Sequence, residues 1–331
     1  MQTLRKILGA GLMISGFTAA VASANTANEG TSKCLFVSSY HKGYAWSDGV
    51  ERGLRAVLEA RCELRQFDMD TKRLKSEDDK KKQAREAKAM IESWSPDIVI
   101  TADDNAAKYL IQQYYRDAEL PFVFSGVNWT VESYGFPYSN VTGMIEVAPI
   151  EPMFKRAEEV SPGIRRAFYL GADTLTEKKN LKRFQAASKR LGIELEFVLA
   201  GTMEAWMAAY GRAQEHDLII MGSNAGINDW DPDQVRRFVG GAAQRLSVTN
   251  HYWMMPYTMI GITKVAEEQG EWAGKTALRI LDGMQPGEIP IVANSRRDIW
   301  INPEVLSAAE IRLPRGLKRK AKRVTGFDSN S

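Results

Sequence analysis

The chain has 331 residues and a formal net charge of +3 at pH 7. A nearly neutral chain gives no reason to expect general affinity for nucleic acid or for an anionic membrane surface. The length is too great for one small hydrophobic core, so two lobes are expected.

The first 24 residues are predicted to be a secretory signal peptide. Arg5 and Lys6 form its charged start, an apolar stretch follows over residues 7–21, and residues 22–24 (ASA) match the small-x-small cleavage pattern. Cleavage after Ala24 removes both charges and lowers the net charge from +3 to +1. An uncleaved membrane anchor is the alternative, but the apolar stretch is short for a bilayer crossing. A soluble exported protein is therefore expected.

The remaining chain opens with a strand, a loop and a helix. The apolar run at residues 34–37 predicts a strand, residues 38–46 (SSYHKGYAW) form a polar and aromatic loop, and an amphipathic helix begins near Ser47. This is the first unit of an open α/β sheet, in which ligands bind at the carboxyl ends of strands. The large aromatic residues of the loop favour a surface that holds a small molecule rather than transforming it.

Strands and helices alternate along most of the chain, and the pattern occurs twice. Short apolar strands of this kind suit a sheet that is covered on both faces. The predicted strands are 34–37, 64–69, 98–101, 122–124, 167–170, 195–199, 218–221 and 246–249, with two short candidates at 289–292 and 299–301. The predicted helices begin near Ser47 and Ser76 and include residues 107–114, 153–157, 181–191, 205–213, Val235 and 267–281. Two doubly wound, Rossmann-like α/β lobes follow from this pattern.

Two cysteines are present, Cys34 and Cys62, and each starts a predicted strand. In a right-handed βαβ unit these two parallel strands are neighbours. An oxidising compartment would allow a disulfide between them, which would contribute about 3 kcal/mol to stability. Two buried free thiols are the alternative. Metal binding is not expected, because no Cys or His partner lies at ligand spacing.

Several segments resemble the periplasmic substrate-binding proteins of ABC transporters whose ligands are unassigned. The matching segments are 40–48 (YHKGYAWSD), 53–54, 96–100 (PDIVI), 121–128 (PFVFSGVN), 269–274 (QGEWAG), 280–283 (ILDG) and 289–291 (IPI). The resemblance covers nearly all of the mature chain and implies the type I periplasmic-binding-protein fold. Close relatives of that group also serve as extracellular input domains of sensor kinases.

The resemblance also implies two Rossmann-like lobes joined by three hinge strands, with the ligand in the cleft between them. The first lobe is expected to comprise residues 33–127 and 256–288, and the second lobe residues 128–255 and 289–331. Some relatives carry amino acids, including aromatic ones. The aromatic loop and Asp103-Asp104 of this chain depart from those carriers.

Loops at the strand ends are expected to line the cleft, together with the crossover near residues 252–257. The candidate ligand-binding residues are Ser39, Tyr40, Tyr44, Trp46, Asp103, Asp104, Asn105, Ser125, Asn128, Asp173, Thr174, Ser223, Asn224, Tyr252 and Tyr257. Aromatic faces supply area for a flat ring or a sugar, and hydroxyl and amide groups satisfy its polar edge.

Some of these residues have a structural alternative. Asp103 suits an ammonium group or sugar hydroxyls, whereas Asp104 or Asn105 suits capping of the following helix. Trp46 would instead pack at the start of its own helix. Trp206 and Trp272 lie on apolar helical stripes and are expected in the core, and Trp230 suits the cleft border or a surface loop.

Three functions remain open, and binding is preferred over catalysis. The chain contains no G-x-S-x-G elbow, Walker A loop or acid–base pair, so neither an enzyme nor a metal or other cofactor is expected. The preferred function is capture of a small polar molecule, preferably with a ring, by a monomer that delivers it to an ABC permease of the inner membrane. The alternatives are a ligand sensor that reports to a membrane histidine kinase or another receptor, and a hydrolase on the same fold.

Overall fold

The computed structural model of the protein describes residues 31–74 and 76–324. The expected signal peptide, residues 1–24, lies outside the described residues. Within the described part, thirteen strands and eleven α-helices form two α/β lobes, as the alternating pattern predicted.

Most elements begin and end within a few residues of the predicted positions. The strands are β1 (Ser32–Ser38), β2 (Cys62–Asp68), β3 (Ile98–Ala102), β4 (Phe122–Asn128), β5 (Val141–Glu146), β6 (Arg166–Ala172), β7 (Glu194–Ala200), β8 (Leu218–Met221), β9 (Leu246–Thr249), β10 (Ile260–Lys264), β11 (Val292–Ala293), β12 (Arg297–Ile301) and β13 (Lys322–Arg323). The helices are α1 (Ala45–Leu58), α2 (Glu77–Trp94), α3 (Asp103–Ala106), α4 (Gln112–Tyr114), α5 (Ile150–Val160), α6 (Leu175–Leu191), α7 (Met203–Ala213), α8 (Pro232–Ala242), α9 (Ala266–Leu281), α10 (Pro303–Ala308) and α11 (Arg315–Lys320). A π-helical turn, Ala107–Ile111, joins α3 to α4.

The first sheet has the order β11-β5-β4-β3-β1-β2, and its neighbouring strands are parallel to one another. It is covered on both faces. Leu35 and Val37 of β1 are buried on the face covered by α2 and by residues 103–114, whereas Cys34 and Phe36 are buried against α1 and α9. Burial on both faces explains why the strands are continuous apolar runs. We call this sheet with its helices the first lobe.

Glycines let α1 and α9 pack unusually closely in the first lobe. A Cβ atom at Gly53 would lie 2.2 Å from the carbonyl oxygen of Glu267, and one at Gly270 would lie 1.9 Å from that of Val50. Neither position can therefore hold a larger side chain without separating the helices. The glycines of the two sequence segments 53–54 and 269–274 have this packing role.

The second sheet has the order β13-β12-β10-β9-β8-β6-β7, and β12 runs antiparallel to β10. Its core contains Trp206, Tyr169 and Tyr210, which are fully buried. Trp206 is thus a core residue, as its helical position predicted. Trp272 is partly buried and packs against the α1–α9 side of the first lobe. We call the second sheet with its helices the second lobe.

The chain passes between the sheets three times, at residues 147–149, at Val265 and at residues 294–296. We call these segments the first, second and third crossings. Their positions differ from the expected boundaries, because β5 pairs with β4 in the first sheet and β10 pairs with β9 in the second. The strand β5 contains Gly143 and was not recognised as a strand. Its place in the first sheet is decided by pairing with β4, which a local pattern cannot show.

A disulfide joins Cys34 to Cys62, with the two Cα atoms 5.7 Å apart. The prediction from neighbouring parallel strands is therefore confirmed, since β1 and β2 pair along their whole length. Both cysteines are buried beneath α1.

Within residues 31–74 and 76–324, no helix combines the length and the apolar character that a bilayer crossing requires.

Candidate functional site

The candidate site lies at the carboxyl end of the first sheet, where β1, β3 and β4 are neighbours. Loops that follow parallel strands meet at one edge of a sheet, and ligands of open α/β folds bind there. Four of the candidate residues are brought together at this edge: Tyr40 and Tyr44 after β1, and Asp103 and Asp104 after β3. Burial is the largest cause of the raised pKa of Tyr40, and the negative charges of Asp103 and Asp104 raise that pKa further.

Asp103 is the most unusual residue of this edge. It is 3% exposed, and its Oδ2 atom has no hydrogen bond of ordinary geometry among the described residues; the indole of Trp46 supplies a weak one to the carboxyl group. Burial raises the pKa of Asp103 to about 7, and the neighbouring Asp104 acts in the same direction. The positive charges of Lys72 and Lys264 and the indole of Trp46 oppose that increase. A buried carboxyl oxygen without a donor costs free energy unless a ligand supplies the donor.

The backbone at Asp103 is also strained, because its φ angle of +68° lies in the left-handed region. Such a conformation costs about 1–3 kcal/mol for a residue other than glycine. Opposite it, Gly126 has a φ of +68°, and a Cβ atom there would lie 3.1 Å from Oδ1 of Asp103. This glycine, which lies near the end of β4, therefore leaves room for the carboxyl group.

Asp104 ties the loop after β3 to the loop after β4. It accepts hydrogen bonds from Nδ2 of Asn128 at 2.6 Å and from the hydroxyl group of Tyr134 at 2.7 Å. The pKa of Tyr134 is raised by burial and by the Asp104 carboxylate. Asp104 is thus engaged by the protein itself, unlike Asp103. Tyr134 was not among the candidates, because it lies in a 3-10 turn away from any strand end.

Tyr40 and Tyr44 form an aromatic pair at the mouth of the site. Their rings meet edge to face with centroids 5.3 Å apart. The ammonium group of Lys72 lies 4.3 Å from the centroid of the Tyr40 ring and 4.9 Å from that of the Tyr44 ring. Cations are attracted to aromatic faces in this geometry. Lys72 follows β2, and the rule that selected the other strand-end loops also applies to it.

Trp46 combines the two roles considered for it. Its ring is partly buried against the core on the α1 side of the first lobe. The ammonium group of Lys264 lies 5.2 Å from the ring centroid, and the indole is close enough to lower the pKa of Asp103. The buried Nε1 atom makes no hydrogen bond of ordinary geometry in the part of the chain that is described, and its weak interaction with the Asp103 carboxyl group is the cause of that lowering.

Lys264 and Glu146 lie at the floor of the site and were not predicted. They form an ion pair between the last residues of β10 and β5. Burial lowers the pKa of Lys264 to about 8, and the negative charge of Asp103 opposes that decrease. The pair places a buried charge beside two of the three crossings.

Three other candidates of the first lobe are engaged by the protein's own backbone or side chains. The buried Ser39 hydroxyl donates to the carbonyl oxygen of Ala102 at 2.5 Å and accepts from the amide of Ala106. The Ser125 hydroxyl donates to the carbonyl oxygen of Thr101 at 3.1 Å. Asn105 donates to the Thr71 hydroxyl at 2.7 Å. These contacts hold the strand-end loops in place.

The candidates of the second lobe lie around a buried carboxyl group, Glu177. It accepts hydrogen bonds from the hydroxyl of Tyr169 at 2.6 Å and from the amide of Ser223 at 3.0 Å. Burial raises the pKa of Glu177. Asp173 is half exposed and forms an ion pair with Lys178 at 2.6 Å. Glu177 therefore fixes the loop after β8, in which the candidates Ser223 and Asn224 lie.

Thr174 has a capping role, since its side chain accepts from the amide of Glu177 at the start of α6. This contact joins the loop after β6 to the backbone of Glu177.

The 3-10 turn Tyr252–Tyr257 contributes one exposed and one buried tyrosine. Tyr252 is 47% exposed and packs on Trp300, with ring centroids 4.7 Å apart. Tyr257 is buried in the second lobe and accepts a hydrogen bond from Nε1 of Trp230 at 3.0 Å. Trp230 lies between Trp206 and Tyr257, so it joins the core rather than the surface.

Comparison with known proteins establishes the fold. A scan against protein-family models finds no match, and a search of curated proteins finds none at a significant level. Among solved structures, the ligand-free, open structure of CD0873, a substrate binding protein with adhesive properties from Clostridium difficile, matches with a TM-score of 0.71 and 11% identity, covering 89% of this chain and 100% of that one.

Two further structures have the same fold and different roles. An ABC domain in complex with L-Trp from Streptococcus pneumonia has a TM-score of 0.57 and 14% identity, covering 88% of this chain and 100% of that one. A LacI family transcriptional regulator from Bifidobacterium animalis subsp. lactis has a TM-score of 0.53 and 13% identity, covering 80% of this chain and 95% of that one. The chain therefore has the type I periplasmic-binding-protein fold.

Proposed function

We propose that this protein is a periplasmic solute-binding protein. As a monomer, it would capture a small polar molecule with a ring in the cleft between its lobes and deliver it unchanged to an ABC permease. The observation that carries the proposal is the buried carboxyl group of Asp103 at the carboxyl edge of the first sheet, whose Oδ2 atom has no hydrogen bond of ordinary geometry and only a weak donor in Trp46.

The carboxyl group of Asp103 selects the polar part of the ligand. Its free Oδ2 atom requires a donor, and a hydroxyl or amino group of the ligand would supply one. An unsatisfied buried acceptor costs about 1–3 kcal/mol, so a ligand that provides the donor recovers free energy on binding. A pKa of about 7 lets the same group serve as a charged or a neutral partner near neutral pH.

The aromatic pair at the mouth favours a ligand with a ring. Tyr40 and Tyr44 offer one edge-to-face surface, which suits a flat ring or the apolar face of a sugar. Lys72 lies against both rings, so it either contacts the ligand or moves aside for it. Ser223, Asn224 and Tyr252 would complete the site from the second lobe.

The three crossings support capture by closure of the lobes. They are short, at 147–149, Val265 and 294–296, and each joins a strand of one sheet to an element of the other lobe. Closure around a ligand by rotation about a few such residues is common in periplasmic binding proteins. The similarity of the fold to CD0873, a substrate binding protein, and to an ABC domain in complex with L-Trp supports a binding role.

The first experiment identifies the ligand. Mass spectrometry of small molecules that remain with the gently purified protein would be followed by a thermal-shift screen of amino acids, sugars and nucleobases. A true ligand binds the native state and raises the melting temperature by mass action. We expect one ligand per monomer, recovered chemically intact after the protein is denatured. Recovery of a converted product would contradict the proposal.

A variant pair then tests the site. Asp103→Asn keeps the shape of the side chain and removes its charge, and we expect the identified ligand to bind at least tenfold more weakly. Asp282→Asn is the matched control, because Asp282 is exposed, ends α9 far from the strand ends and pairs only with Arg61. Small-angle scattering should show the wild-type protein becoming more compact with ligand. Equal binding by both variants, or binding without compaction, would overturn the proposal.

A further inference from the structure

A second cavity lies away from the aromatic mouth, beside the first and third crossings. Its volume is about 430 Å³. Its walls come from both lobes: Trp129 follows β4 of the first sheet, whereas Arg183 and Arg190 lie on α6 of the second lobe. Residues 147–149 and 294–296, which are the first and third crossings, complete it. We call it the hinge cavity.

The hinge cavity is strongly positive. Its ionisable residues are four arginines and one glutamate: Arg183, Arg190, Arg296, Arg297 and Glu151. Glu151 pairs with Arg190 at 2.7 Å, and Arg296 pairs at 2.8 Å with Glu271, which lies outside the cavity. Arg183 and Arg297 have no carboxylate within ion-pair distance among residues 31–74 and 76–324. Nη1 of Arg183 donates to the carbonyl oxygen of Lys179 at 3.3 Å, so the remaining donors of Arg183 and the guanidinium group of Arg297 are available to an anion.

The amino end of α5 faces the same space. Residues 150–152, the first turn of this eleven-residue helix, line the cavity, and no side chain caps the helix. Pro149 and Pro152 have no amide hydrogen, and the amide of Ile150 donates to the carbonyl oxygen of Ala148 at 2.9 Å, so among residues 149–152 the Glu151 amide is left as a donor. The helix dipole makes this end positive and adds to the arginine side chains, which are the main donors for a carboxylate or a phosphate.

One wall of the hinge cavity is apolar. The guanidinium carbon of Arg183 lies 4.0 Å from the centroid of the Trp129 ring, so the two side chains form one platform. Burial lowers the pKa of Arg183, because its charged form has lost part of its water. Ala186 and Ala187 of α6 continue the apolar surface. The wall suits a flat or apolar body attached to the anionic group.

We infer that the hinge cavity binds a small organic anion, a carboxylate or a phosphate joined to an apolar body. The site goes beyond the proposed function, since it shares no residue with the aromatic mouth or with Asp103. Its walls include both lobes and two crossings, so an occupant would contact parts that move relative to one another during closure. Binding at the hinge cavity would therefore be coupled to binding in the cleft.

Titration calorimetry at low ionic strength tests the inference with three probes: phenyl phosphate, benzoate and inorganic phosphate. We expect saturable binding of at least one of the two organic anions and weaker binding of inorganic phosphate, which lacks the apolar body. A preference for phenyl phosphate would assign a phosphate ester as the ligand class, and a preference for benzoate would assign a carboxylate. Failure of all three to saturate the wild-type protein would overturn the inference.

Variants distinguish the hinge cavity from general ionic attraction. Arg183→Gln with Arg297→Gln should weaken the preferred probe at least tenfold. Lys182→Gln with Arg85→Gln removes the same charge from two exposed residues outside the cavity and should leave affinity within twofold. Equal losses of affinity in the two double variants would contradict a specific anion site in the hinge cavity. Arg297→Gln alone changes an exposed side chain without an ion-pair partner, so it tests the site even if the double variant folds poorly.

A last comparison separates this inference from the proposed function. Asp103→Asn should bind the preferred anion as the wild-type protein does, because Asp103 does not line the hinge cavity. If Asp103→Asn abolished anion binding, the probes would be occupying the cleft and the inference would fall. The proposed function would stand in that case, because the wild-type protein would still bind its own ligand in the cleft.

Discussion

Lys264 and Glu146 form an ion pair that joins the last residue of β10 in the second sheet to the last residue of β5 in the first. Each residue is followed directly by a crossing, so the pair holds two of the three connections between the lobes at one point. The Lys264 ammonium group also lies over Trp46 and feels the charge of Asp103. The same two residues therefore form the floor of the candidate site and hold the connections between the lobes.

Removal of this pair should be strongly destabilising. Lys264→Met would leave the buried Glu146 carboxylate without its partner, and loss of one member of a buried pair costs about 3–5 kcal/mol. Urea unfolding would measure the change. Lys322→Met is the control, because the Lys322–Asp298 pair at 2.7 Å is largely exposed and should cost less than about 1 kcal/mol. A cost for Lys264→Met no larger than that of the control would contradict the assigned role.

The raised pKa of Asp103 predicts a specific dependence of stability on pH. Its folded-state pKa is about 7, above the value of about 3.9 for an unfolded chain, so the folded protein binds this proton more tightly. The free energy of unfolding should therefore fall as the pH rises from about 4 to about 7, by up to about 1.4 kcal/mol per pH unit from this group.

Asp103→Asn should remove that part of the pH dependence. Denaturant unfolding of the variant and the wild-type protein at several pH values between 4 and 8 gives the difference, in which the contributions of other groups cancel. Below pH 4 the two proteins should differ by an amount that does not change with pH. A difference that is constant across the whole range would show that Asp103 titrates normally.

The close contact between α1 and α9 predicts intolerance of even one methyl group. Gly53→Ala should destabilise the protein by about 1–3 kcal/mol, because the new Cβ atom would overlap the carbonyl oxygen of Glu267. Gly211→Ala is the matched control, since Gly211 lies in α7 with no atom within 4 Å of the added Cβ. The control should be neutral or slightly stabilising through helix propensity. Thermal unfolding of both variants measures the contrast, and equal melting temperatures would argue against close packing of these helices.

The disulfide between Cys34 and Cys62 predicts sensitivity to reductant. Replacement of both residues by serine should lower the free energy of unfolding by about 2–4 kcal/mol. A thiol titration of unfolded, unreduced wild-type protein should detect no free thiol, because both cysteines are in the disulfide. Reductant should lower the melting temperature of the wild-type protein and leave that of the double variant unchanged. A melting temperature of the wild-type protein that ignores reductant would contradict a stabilising disulfide.

Much of the fold is predictable from local patterns, because strands that are buried on both faces are short apolar runs. The strands at 218–221 and 246–249 have the predicted bounds, and Ser76 caps α2 as expected by accepting from the amide of Asp79. The strand β5 was missed for a physical reason. Its Gly143 weakens the apolar run, and a Cβ atom there would lie 2.4 Å from the Phe124 ring, a contact that exists only in the folded sheet.

The candidate site was predictable in part. The strand-end rule selected Tyr40, Tyr44, Asp103 and Asp104, which lie together, but it could not separate the unpartnered Asp103 from the fully engaged Asp104. That difference depends on Asn128 and Tyr134, which arrive from another loop. Lys264 ends β10, a strand that the sequence pattern did not predict, so the rule could not select it, and its burial depends on pairing with Glu146 from a distant part of the chain.

The packing of α9 on α1 has a consequence for biosynthesis. The chain forms α1 early, but the helix that covers it begins only at Ala266, after nearly all of the second lobe has been made. Until then the side of α1 that α9 covers, including Gly53 and Val57, lacks its partner helix, and such exposed surface in a growing chain favours association with chaperones or aggregation. The N-terminal half of the nascent polypeptide therefore cannot complete its hydrophobic core until α9 has been made.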